Sequence, residues 1–89
     1  MTQLQDIEQR FIALLGKASG LLSEDQLQMY RSLSEHGEPG VALENLCTQL
    51  YEYDVVVPEP LVAELAALGS LMGIEPAHWT RLDKGSKSG

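Results

Sequence analysis

The chain is poor in the residues from which reactive sites are built. It carries one cysteine, Cys47, and two histidines, His36 and His78, in 89 residues. A single cysteine closes no internal disulfide, so nothing ties the protein to an oxidising compartment. No pair among these three residues has C-x-x-C or H-x-x-x-H spacing, so neither a metal site nor a cofactor is expected. There is no G-x-S-x-G elbow, and no Cys, His and acid set in a recognisable catalytic context. Glu52 and Asp54 are close in sequence, but two residues apart on a helix they point to different faces. Gly16-Lys17-Ala18-Ser19-Gly20 lacks the first glycine of a phosphate loop and follows a helical pattern rather than a strand. These absences speak against an enzyme.

Long apolar runs are missing too. None approaches the roughly 20 residues that span a membrane. The N-terminus shows no basic region followed by an apolar run, as a signal peptide would. The expected location is the cytoplasm, with no membrane partner. Aromatic residues make up only 6% of the chain, so the core must be mostly Leu, Ile, Val and Ala.

Positive charge is scarce and unevenly placed. Six Lys and Arg stand against thirteen Asp and Glu, a formal net charge of −7. From Ser32 to Thr80 there is no Lys or Arg, while Glu35, Glu38, Glu44, Glu52, Asp54, Glu59, Glu64 and Glu75 all fall in that span. Such a field repels nucleic acid and anionic membrane and attracts a basic protein partner. The plainer reading is that acidity keeps a small protein soluble.

What the chain does have is helical periodicity. Its length fits one domain, expected over residues 1–83, with an apolar-free tail at 84–89 expected to be disordered. Thr2 is placed to cap a first helix whose Leu4, Ile7, Phe11, Leu14, Leu15 and Ala18 share a face; its end is expected between Gly16 and Ser19. Ser23 and Gln26 form a capping box, with Leu22 and Leu27 spaced as a hydrophobic staple. That second helix turns Leu27, Tyr30 and Leu33 inward and ends at His36, with Gly37 suited to the left-handed position beyond it. Pro39 opens a third helix. Val55-Val56-Val57 before Pro58 reads as an extended connection packed on the bundle, since no second strand is available to pair with it. Pro60 starts a fourth helix, apolar nearly all round and therefore expected at the centre of the domain. Pro76 starts a short last helix, with Trp79 closing over the core. The fold expected is all-α, a compact bundle of four main helices plus a short C-terminal helix.

The third helix organises the rest. At 100° per residue Leu43, Leu46 and Leu50 form a stripe flanked by Ala42, Cys47 and Tyr53, while Glu44, Thr48 and Glu52 recur on the other side. The wording of this stretch is specific: His36-Gly37-Glu38, Gly40, Ala42-Leu43-Glu44, Leu46-Cys47, then Gln49-Leu50-Tyr51-Glu52-Tyr53-Asp54. It resembles the immunity proteins of the Maf polymorphic-toxin systems. A second matching piece is Leu68-Gly69-Ser70-Leu71-Met72-Gly73, followed by Pro76 and Trp79. The resemblance implies a bacterial immunity protein that holds the toxic C-terminal domain of a cognate polymorphic toxin inactive. Many such toxins are nucleases, whose basic grooves an acidic surface would suit.

The residues expected to face a basic partner are Glu38, Glu44, Glu52 and Asp54, with Tyr51 as an aromatic anchor at the border of core and surface. The alternative is a small helical adaptor or self-associating regulatory module that uses the apolar fourth helix as its contact face. Nothing in the sequence indicates a homodimer beyond that.

Overall fold

A computed structural model describes residues 3–82, with side chains from residue 5 onward. The Thr2 cap, the Leu4 side chain and the 84–89 tail lie outside the described residues. Among the described residues the chain runs through five helices: α1 (Gln3–Lys17), α2 (Glu24–Glu35), α3 (Pro39–Glu52), α4 (Glu59–Leu71) and α5 (Ala77–Thr80). The fold is all-α, a bundle of four main helices with a short fifth.

The local signals act where they stand. Ser23 is the N-cap of α2: its hydroxyl accepts from the Gln26 backbone N–H at 3.2 Å. The Gln26 side-chain carbonyl accepts from the Ser23 backbone N–H at 3.3 Å, which completes the box. Pro39 sits at the start of α3, where its missing N–H costs no helical hydrogen bond. α4 begins one residue earlier than Pro60 implies, at Glu59, with Pro58 as the residue before the first turn.

α2, α3 and α4 end in the same way. In each, a residue with positive φ follows the cap, and the next backbone N–H reaches back to the carbonyl five residues before it. The bonds are Glu38 N–H to Leu33 at 3.0 Å, Val55 N–H to Leu50 at 3.0 Å, and Ile74 N–H to Gly69 at 2.9 Å. This is the Schellman geometry, which satisfies carbonyls that the helix itself leaves open. Gly37 and Gly73 take the left-handed position at φ 86° and 71°; in α3 it falls to Asp54 at φ 59°.

The core is continuous. Phe11 and Leu14 from α1, Tyr30 from α2, Leu43, Leu46 and Leu50 from α3, Leu65 and Leu68 from α4, and Leu82 beyond α5 are all essentially inaccessible to solvent. α3 touches each of the other four helices, whereas α4 touches α1, α3 and α5. The expectation that α4 is central is therefore corrected: α3 is central. The outer face of α4 is open, with Ala63, Ala67, Ser70 and Leu71 exposed. Its small residues lower its polarity without requiring cover, because single methyl groups leave little apolar area to bury. Arg10 on α1 reaches Glu64 on α4 at 3.8 Å.

Two further expectations change. Tyr53 does not flank the core stripe but is 59% exposed, because α3 stops at Glu52 and the chain turns away before the next inward position. Of the three valines after Asp54, Val57 is buried and Val55 packs against the core, while Val56 faces solvent. Trp79 lies over the core at 5% exposure.

Candidate partner-binding surface

The helical arc of α3 that points away from the core carries Val41, Asn45 and Glu52, all exposed, with Glu44 and Thr48 half-buried at its margin. The arc exists because the Leu stripe opposite is fully buried, which fixes the rotation of the helix. Thr48 is tied down by its own helix, its hydroxyl donating to the Glu44 carbonyl at 2.9 Å.

The five residues expected to meet a partner are distributed along α3 and its ends. Glu38 is exposed immediately before the helix and makes no side-chain cap to it. Glu44 lies half-buried in the middle, and Glu52 is exposed in the last turn. Asp54 is exposed in the turn that follows, where its backbone N–H donates to the Tyr51 carbonyl at 3.1 Å. It thus serves the helix terminus as well as carrying charge. Tyr51 is 43% exposed, at the border where the helical angle places it.

One neighbour of this surface was not legible as such. Arg81 folds back from the turn after α5 and stands over the Tyr51 ring, its guanidinium carbon 4.3 Å from the ring centre. That is a cation–π contact. The 49-residue stretch without Lys or Arg from Ser32 to Thr80 therefore does not produce a face free of positive charge. The signal in the sequence was the bracketing of Arg81 by Trp79 and Leu82, two apolar residues that both bury.

Cys47 lies on the inner side of α3 and is fully buried. Burial pushes its thiol up to about 12, with Arg81 drawing it down and Glu44 pushing it further up. Such a thiol is inert as a nucleophile at neutral pH.

Compared with family models, curated proteins and solved structures, the chain finds no match.

Gln26 Nε2 donates to Gln49 Oε1 at 3.3 Å and to the Tyr53 hydroxyl at 3.4 Å, joining the start of α2 to the end of α3. Burial, then the nearby Tyr53 hydroxyl, push the Tyr30 phenol above its ordinary value. An open groove of about 190 Å³ runs between α1 and α2, floored by Ile12, Leu15 and Leu27 with Glu24 and Arg31 at its edge. It includes none of the five expected contacts. Among the described residues no three His, Cys, Asp or Glu side chains converge as a metal site would need, and no helix is long and apolar enough to cross a membrane.

Proposed function

We propose that this protein is an immunity protein whose acidic α3 face binds and neutralises the toxic C-terminal domain of a cognate polymorphic toxin, in the cytoplasm of the cell that makes both. The observation that carries the reading is the arrangement of Glu38, Glu44, Glu52 and Asp54 along one helix and its ends, on the stretch that bears the resemblance to the Maf immunity proteins. Their side chains are exposed or half-buried, so their charge reaches an approaching partner at little desolvation cost. A basic partner is steered onto such a surface, and Tyr51 supplies the rigid, amphipathic contact area that interface anchors favour.

The test is binding kinetics against the C-terminal domain of a cognate toxin, to be sought as a large secreted protein encoded by a neighbouring gene. Opposed charges act mainly on encounter. Glu44→Lys with Glu52→Lys is expected to slow association and flatten its salt dependence while leaving the circular dichroism spectrum unchanged. Tyr51→Ala is expected to speed dissociation. Wild-type kinetics for the folded double variant at both low and high salt would show that the acidic face is only solvated surface.

A second reading is favoured by one feature, the uncovered outer face of α4 with Ala63, Ala67 and Leu71 exposed. On that reading the protein is a self-associating helical module or adaptor. Sedimentation over a concentration series distinguishes the two: a dimer weakened by Ala67→Glu supports self-association, and a monomer throughout removes it.

A further inference from the structure

Arg81 has a backbone held in place and a side chain exposed to solvent. Its backbone is held on both sides, because Trp79 is 5% and Leu82 2% exposed. Its own side chain is exposed and ends over Tyr51, itself 43% exposed. The ring thus already accepts a guanidinium on a helix face whose other charged residues, Glu44 and Glu52, are both acidic.

We propose that the Tyr51 ring is an arginine-docking site, that Arg81 occupies it as an intramolecular placeholder, and that an arginine of a basic protein partner displaces Arg81 on binding. Guanidinium stacks on an aromatic face better than ammonium does, being planar and weakly hydrated, so the site prefers arginine to lysine. Charge complementarity follows from Glu44 and Glu52 along the same helix. Arg81 opposes binding twice, by covering the ring and by repelling a cation. Displacing it forfeits one exposed cation–π contact, which lowers the partner's apparent affinity about two- to fivefold. The effect is an autoinhibitory contact that weakens every basic ligand by the same small factor and that a multi-point partner readily overcomes. The proposal rests on the reading of α3 as the partner surface and names what that surface recognises.

The test uses the full chain with tetra-arginine and tetra-lysine peptides as probes, titrated at low salt and followed by NMR. Tetra-arginine is expected to bind more tightly than tetra-lysine, with shifts centred on the Tyr51 ring. Arg81→Gln is expected to raise tetra-arginine affinity about two- to fivefold. In a Tyr51→Leu background the arginine preference should vanish, and the gain from Arg81→Gln should shrink to what charge repulsion alone supplies. A gain that is undiminished without the ring would mean that Arg81 acts by charge alone, and would overturn the proposal. So would an unchanged or weakened affinity in Arg81→Gln, equal binding of the two peptides, or shifts centred away from Tyr51. The peptides probe the ring without any toxin domain, so this result stands apart from that of the Glu44 and Glu52 reversal.

Discussion

The Trp79 ring occupies the space that a side chain at Gly69 would need. A Cβ placed on Gly69 would overlap the six-membered part of the indole. Gly69 sits in the last turn of α4, and its bare backbone is the floor on which the short α5 docks. The contact links three places distant in sequence, since the seating of Trp79 and Leu82 also sets where Arg81 meets Tyr51.

Gly69→Ala should therefore destabilise the protein by about 3 kcal/mol, the upper end of ordinary overpacking, because a rigid indole cannot give way as a flexible chain can. Gly16→Ala is the counterpart. Nothing lies within 4 Å of a Cβ there, and its φ is ordinary. In the last turn of α1 this change should stabilise by about 0.5–1 kcal/mol, through helix propensity alone. Urea melts of the two variants should move in opposite directions; equal shifts would mean that α5 is not seated on Gly69.

Asp54→Gly should raise stability by about 1 kcal/mol. Asp54 holds the left-handed position at φ 59°, which glycine adopts without steric penalty. Its carboxylate also lies at the negative end of the α3 dipole. If Asp54 contacts a partner, the same variant should associate more slowly while melting at a higher temperature. Thermal unfolding beside binding kinetics separates the two effects.

Ser23→Ala should cost about 1 kcal/mol, because the first turn of α2 loses the acceptor of the Gln26 N–H. Ser23→Asp should keep the cap and stay near wild type. An unchanged melting midpoint in the alanine variant would show that the box contributes nothing to stability.

Stability should fall as pH rises above about 9. The Cys47 thiol has an ordinary value of 9.0 in the unfolded chain and is pushed up to about 12 in the fold. Between those values the unfolded state has released a proton that the folded state keeps, so raising pH favours unfolding. The slope contributed approaches about 1.4 kcal/mol per pH unit. Tyr30, also raised, adds to it with the same sign. Cys47→Ala should make the slope from pH 9 to 11 shallower in denaturant titrations.

Much of the fold was legible because its signals are local. The Ser23 and Gln26 box, Gly37 beyond α2, and Pro39 at a helix start act over three or four residues, and they sit where the spacing placed them. The buried stripes of α1, α2 and α3 follow from a period of 3.6 residues. The position of Tyr51 at the border of core and surface was legible for the same reason. Tyr53 was misplaced because an angular argument holds only while the helix continues, and α3 ends one residue before it.

The sequence by itself determined that the chain is helical, where most helices begin and end, which face of α3 is buried, and that this helix carries its acids outward. Each of these depends on neighbours within a turn or two. Tertiary structure alone decided that α3 and not α4 is central, that Trp79 docks on Gly69, and that Arg81 covers Tyr51. The last contact joins residues far apart in the chain, and it forms because the buried Trp79 and Leu82 seat the backbone between them within reach of the Tyr51 ring. Composition counts charges along the chain, but the packing of the core decides which of them share a surface.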